Sequence, residues 1–383
     1  MLERLQGALK VRHARAARVA AACAGLAALL CALGAPAPAA AQGSCSLRVM
    51  SASSQPACWR PFAANSVFNT PLPAHARLAS DSSLIVRRMV ARGWSVDGSN
   101  KRFDFSPSFY GTRPVFFATR SDPVMTIRCK MKPVPGVCTG ANGVDVAGLR
   151  IHVPAGARPY ANSDAHMTVI EKPSGEEYDF WDTTISGSTI AALTAGEVNV
   201  NTGNGLGSQG DAGQFGLSAG LVRPSELAAG RINHALVISV PCTNGSGHSA
   251  GFVFPAVQGD GAACGPNGSA ATRDSPALGQ LLRLNMTDAQ IRSSAAPAWE
   301  KTIMTAWAHY GAYVEDTGGR FPEMDIFTQA SSSWTDLGEQ DRWAGLAQQL
   351  GASSAFVSDV PIPVSELQVV DPCVPEKSCT AAG

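Results

Sequence analysis

Asp164 and His166 stand two residues apart, and Asp179 and Trp181 repeat that spacing fifteen residues on. A carboxylate beside an imidazole raises its pKa and orients it, as a general acid or base needs. The residues belong to one stretch, D-A-H-M-T-V-I-E-K-P-S-G-E-E-Y-D-F-W-D, from Asp164 to Asp182. Asp164 to Ile170 largely alternates polar and apolar residues at period two, the pattern of a half-buried strand. Lys172-Pro173-Ser174-Gly175 carries turn chemistry, and Tyr178 to Trp181 is the return strand. Paired as a hairpin, Met167, Val169, Tyr178 and Phe180 share a core face, and Asp164, His166, Thr168, Asp179 and Trp181 share the other. That second face predicts a sugar-binding or acid/base surface, with Trp181 as a stacking ring. The competing reading is a solvated sheet face, since exposed faces of antiparallel sheets are normally polar.

A glycosidase needs two carboxylates about 5–9 Å apart, and Asp164 with Asp179 on paired strands could supply them. A polysaccharide lyase would set His166 against a tyrosine such as Tyr178, Tyr110 or Tyr310. His234, early in an apolar strand, and Asp316, at a strand end before Gly318-Gly319, complete the candidate catalytic set. Each has a structural alternative, an edge-of-core histidine and a solvated turn carboxylate. Tyr178 and Tyr110 join Trp181 as candidate substrate contacts. On this reading His166→Ala removes activity and spares the fold.

G-x-S-x-G occurs twice, at Gly216 to Gly220 and at Gly247 to Gly251. A nucleophile elbow needs a strand before the serine and a helix after it, and neither match has that context. Gly205, Gly207 and Gly210 fit G-x-G-x-x-G by spacing but lack the strand and helix of a phosphate-binding loop. The run from Asn199 to Gly220 therefore reads as an ordered surface loop, a candidate cleft rim. No C-x-x-C or H-x-x-x-H spacing suggests a metal site, and no cofactor is expected.

The elements around these residues are short. A helix is expected over Ser82 to Arg92, another over Pro224 to Gly230 with Pro near its start and Gly at its end, and a third over Gln340 to Leu350. The clearest runs from Pro297 to His309, with Trp299, Ile303 and Trp307 at i, i+4 and i+8. Strands are expected at Val124–Cys129, Leu149–Pro154, Thr189–Leu193 and Ile232–Val240. The fold class this predicts is mainly β, a jelly-roll-like sandwich with a few peripheral helices.

The chain opens with five basic residues, an apolar run from Val19 to Gly34 and Ala39-Ala40-Ala41, the layout of a cleaved export signal over residues 1–41. The remainder, 42–383, reads as one domain with 25 basic against 29 acidic residues. That balance gives no basic footprint for nucleic acid. Charged residues are only 16%, with 38 Gly and 25 Pro, which suits a loop-rich β protein better than a helical bundle. Eight cysteines outside the signal fall into four sequence-local couples, Cys45/Cys58, Cys129/Cys138, Cys242/Cys264 and Cys373/Cys379, and predict four local disulfides in an oxidising compartment.

The motifs N-x-x-x-N-T-P-L-P (Asn65 to Pro73), D-x-H-M-x-V-I (Asp164 to Ile170), Y-D-F-W (Tyr178 to Trp181), G-L-V-R-P-S-E-L-x-x-G-R-I-N-H-A-L (Gly220 to Leu236) and Y-G-A-Y-V-E-D (Tyr310 to Asp316) resemble a family of exported bacterial proteins common in actinobacteria and their neighbours. The resemblance covers most of the chain beyond the signal. It implies a secreted protein with one recurrent domain and supplies no reaction. The functional expectation is therefore a secreted or periplasmic monomer acting on an extracellular glycan, as hydrolase or lyase. The alternative is a non-catalytic glycan- or envelope-binding protein. No membrane contact is expected after signal removal.

Overall fold

The computed structural model describes residues 45–47, 50, 55–93, 103–107, 111–131, 136–244, 251–259, 274–317, 324–352, 356 and 358–379. The expected signal, Tyr110, most of the second G-x-S-x-G match and Cys264 lie outside them. Cys45–Gly383 forms one compact unit.

The strands along the chain are β1 (Phe103–Phe105), β2 (Thr112–Arg113), β3 (Val115–Ala118), β4 (Val124–Cys129), β5 (Arg150–His152), β6 (Met167–Glu171), β7 (Glu176–Trp181), β8 (Thr184–Ser186), β9 (Thr189–Ala192), β10 (Thr194–Asn199), β11 (Leu236–Val240), β12 (Leu281–Leu284), β13 (Ala312–Thr317), β14 (Asp325–Ile326), β15 (Thr328–Gln329), β16 (Ser358–Val360) and β17 (Leu367–Val369). They build four sheets, ordered β16-β1-β14-β11-β13-β12-β17, β10-β7-β6-β3, β5-β4-β9-β8 and β15-β2. The helices are α1 (Ser82–Ala91), α2 (Pro224–Ala228), α3 (Asp288–Ser293), α4 (Ala298–Tyr310), α5 (Ser332–Thr335), α6 (Arg342–Leu350) and α7 (Cys373–Glu376). The protein is thus mainly β, a sandwich with peripheral helices, as the composition and turn spacing predict. Its sheets are mixed, with β3–β6, β4–β9 and β11–β13 running parallel.

The β10-β7-β6-β3 sheet is central because both of its faces are buried. Phe116, Met167, Val169, Tyr178, Phe180 and Ala195 pack against Ile127, Ile151 and Ile190 of the β5-β4-β9-β8 sheet, forming a small core. From the opposite face, Val115, Phe117, Ile170 and Val198 join the large core. The period-two alternation of β3, β6 and β7 serves two cores instead of one core and solvent.

The seven-stranded sheet carries α4 on its flank. Trp299, Ile303 and Trp307 all face inward, and Trp307 Nε1 donates to the Leu282 carbonyl at 2.9 Å. α3 begins with the capping box of Thr287 and Gln290, the reciprocal bond pair that satisfies two orphan donors. Three of the expected disulfides are formed, Cys45–Cys58, Cys129–Cys138 and Cys373–Cys379. Cys242 is also disulfide-bonded.

Candidate functional site

The hairpin β6–β7 has the register its alternation predicts: Thr168 lies opposite Asp179 and Val169 opposite Tyr178. Its polar face, however, does not meet solvent. The glycine-dense run from 201 to 220 lies on it. Asp179 accepts from Thr168 Oγ1 at 3.0 Å, Ser208 Oγ at 2.5 Å and the Leu217 amide at 3.2 Å. Glu177, two residues back on the same face, accepts from the Ser218 amide at 3.0 Å and from the Ser218 hydroxyl. Ser218 is the serine of the first G-x-S-x-G match, and it serves this clamp.

Glycine is required for the approach. A Cβ on Gly210 would stand 2.5 Å from Asp179 Cβ, and one on Gly216 would stand 2.9 Å from Glu177 Oε1. Burial, then the neighbouring Asp179 charge, pushes the Glu177 carboxyl well above its ordinary range, and burial raises Asp179 to about 6. Like charges in one dry site cannot both ionise cheaply, so the pair retains a proton.

His166 precedes β6 and is 2% exposed, with Nδ1 unpartnered among the described residues. Burial, then the Arg113 charge, lowers its pKa to about 3. Arg113 forms a buried ion pair with Asp211, lies 4.0 Å from Asp316 and covers the Phe327 ring at 4.4 Å. Burial opposes the Asp211 charge, but Arg113 and His166 outweigh it and hold Asp211 below its ordinary value. Glu315 accepts from the Phe215 amide at 3.3 Å, and burial followed by Asp211 pushes its carboxyl well up. The register between β11 and β13 shifts at this point, pairing Ile238 with Val314 and Ser239 with Asp316. This bulge leaves Glu315 unpaired beside Asp316, and both neighbours lie close to Arg113.

The sequence-predicted residues are therefore only partly brought together. His166, Asp179 and Asp316 border one interior network, with Asp316 half-exposed at its edge. His234 belongs to another. Its Nε2 meets Glu226 Oε1 at 2.9 Å and its Nδ1 meets the Ala235 carbonyl at 2.8 Å. Arg223 Nη2 bonds the same Glu226 oxygen at 2.6 Å and the Trp59 carbonyl at 2.5 Å. Burial pushes Glu226 up, but Arg223 and His234 outweigh it and hold the carboxyl at about 2.

Asp164 sits half-buried in the loop before β6, where Ala165 takes a φ of 45° and breaks the alternation that would align Asp164 with Asp179. Trp181 is half-buried on the Asp179 side of β7, away from Tyr178. The expected open surface of Asp164, His166, Asp179 and His234 is replaced by two filled interior networks, because the glycine run folds in as a layer and does not stand out as a rim.

Accessible chemistry gathers at one end of the small core. Glu171 ends β6, Glu176 begins β7 and Glu197 lies on β10 opposite Tyr178. All three glutamates are half-buried, and their charges, after burial, raise the Tyr178 phenol pKa. Tyr178 is 8% exposed, and its hydroxyl has no hydrogen-bond partner among the described residues. Glu176 lies beside Glu197, and its carboxylate, as an acceptor for a proton held on Glu197, raises Glu197 to about 7 ahead of burial. Asn199 Nδ2 donates to Glu176 Oε1 at 2.8 Å. Across the lip, Glu171 Oε1 holds the His152 amide at 2.8 Å and Nδ1 at 2.7 Å. The Cys129–Cys138 disulfide anchors the loop that closes the third side. The Ala141 amide of that loop donates to the Glu197 carbonyl at 2.8 Å, and Gly140 leaves room for the Glu197 carboxyl.

Sequence reasoning missed this pair because β10, Thr-Ala-Gly-Glu-Val-Asn, has weak strand propensity. Once β10 pairs with β7, Glu197 falls opposite Tyr178. Among the described residues, no group of three His, Cys, Asp or Glu side chains has metal-holding geometry, and no helix is long and apolar enough to cross a membrane. No family model, curated protein or solved structure matches the chain.

Proposed function

We propose that the protein is a secreted hydrolase of an extracellular polysaccharide, with Glu197 as general acid and Glu176 as its carboxylate partner. What carries this reading is the placement of Glu176 beside Glu197 at a half-open lip, where the neighbouring carboxylate favours a proton on Glu197 up to about pH 7. An acid whose pKa lies near the working pH is what protonation of a glycosidic oxygen requires. Disulfide bonding supports export to an oxidising compartment.

Glu197 delivers its proton to the leaving oxygen as the C–O bond breaks, while Glu176 attacks the anomeric carbon. Water then hydrolyses the glycosyl ester, with Glu197 taking a proton from it. Carboxyls that interact this directly leave no room between them for the water an inverting pair needs. Retention of configuration is the expected outcome. Tyr178 offers an unpaired hydroxyl to the sugar at the same lip.

The test is a polysaccharide panel assayed for reducing ends and for ultraviolet absorbance. Reducing ends without absorbance, lost at least ~10²-fold in Glu197→Gln, support hydrolysis at this pair. Absorbance would mean elimination, and binding without turnover would make the protein a glycan-binding module.

A further inference from the structure

A cavity of about 220 Å³, lined by none of the acidic-lip residues, lies against β12 and β13. Val67, which opens the short helical turn Val67–Asn69, and Leu72 line one side, and Leu281 of β12 with Tyr313 of β13 line another. Pro375 and Lys377 of the loop closed by Cys373–Cys379 form the roof. An apolar cavity of ~150 Å³ holds one benzene, and drug-sized sites begin near ~300 Å³. The space therefore suits a single substituted ring.

Two polar features mark its ends. Tyr313 is 2% exposed, with its ring edge-on to Phe68 at 5.5 Å. It lines the cavity, and burial raises its phenol pKa with no hydrogen bond contributing. The hydroxyl of Thr70, also in the lining, is already committed to the Ser66 carbonyl at 2.8 Å. Among the described residues of the lining, Lys377 is the charged one. The carboxylates near it are engaged, Asp371 with Arg77 at 2.9 Å and Glu376 with Ser378 at 2.9 Å.

We propose that this cavity binds a one-ring aromatic acid, with its carboxylate at Lys377, its ring on Leu72 and Leu281, and a distal oxygen accepting from the Tyr313 hydroxyl. The proposal is independent of the glycan reading.

Titration calorimetry of the oxidised protein with 4-hydroxybenzoate tests it, with benzoate and 4-hydroxybenzyl alcohol as comparators. The expected order places 4-hydroxybenzoate first, since benzoate lacks the distal oxygen and the alcohol lacks the charge. Tyr313→Phe keeps the ring and should weaken 4-hydroxybenzoate about threefold to tenfold, the worth of one hydrogen bond, while leaving benzoate unchanged. Lys377→Glu, at an exposed position, should weaken both acids and spare the alcohol. Melting temperatures of the variants control for folding. Absence of binding by all three compounds at millimolar concentration overturns the proposal. Equal affinities, or affinities that neither substitution changes in a variant that melts like the parent, overturn it as well.

Discussion

His166 and Asp179 are the residues that spacing marks most clearly for chemistry, and both are spent on holding the interior together. Their protonation runs in opposite senses. His166 titrates near 3 in the folded chain and near 6.5 unfolded, so the unfolded state binds more protons between those values. Its share of stability therefore rises with pH across that window and is lost as pH falls. Glu177 and Asp179 have raised folded pKa values, so the folded state binds more protons above the ordinary carboxylate range, and their share falls as pH rises. Glu177→Gln keeps an acceptor for Ser218 and removes the second charge. Thermal melts should show it gaining on the parent more at pH 8 than at pH 5, and an equal offset at both would contradict the shared-proton account. His166→Ala, which the sequence predicts to spare the fold, is expected to lower the melting temperature, because it empties a filled interior site.

The hairpin itself was legible: period two in β6 and β7, with a Pro-Ser-Gly turn between them, gave the right pairing and, within the strands, the right division into faces, Asp164 and His166 falling before β6. What covers each face was not, because alternation reports that two faces differ and is silent on which layer lands on them. The run from 201 to 220 shows why. Its glycines read as a surface loop, yet Gly210 and Gly216 are small so that the chain can lie directly on Asp179 and Glu177. Gly210→Ala places a methyl against Asp179 and should cost ~1–3 kcal/mol in a urea melt. A neutral outcome would mean the loop is not seated as described. The candidate acid pair was hidden for a related reason. Glu176 and Glu197 are twenty-one positions apart, and only the pairing of β7 with the weakly patterned β10 makes them neighbours.

At the scale of the molecule, a central sheet buried on both faces divides the protein into a large core and a small one, and the acidic lip belongs to the small one. The nearest-neighbour pairing of three of the four cysteine couples was readable from spacing, and one of these disulfides, Cys129–Cys138, supports the lip directly. Replacing both of its cysteines by serine should cost ~2–5 kcal/mol and reduce turnover more than loss of Cys373–Cys379, which braces the other cavity. Equal effects on turnover would detach the lip from the chemistry. The most direct test of the central claim is the pH dependence of reducing-end release from the responsive polysaccharide. Turnover should fall as pH rises through about 7, where Glu197 loses its proton, and in Glu176→Gln the residual activity should no longer show that limb. Turnover that stays level from pH 5 to well above 8, or a limb unchanged by Glu176→Gln, would contradict the assignment of Glu197 as the acid.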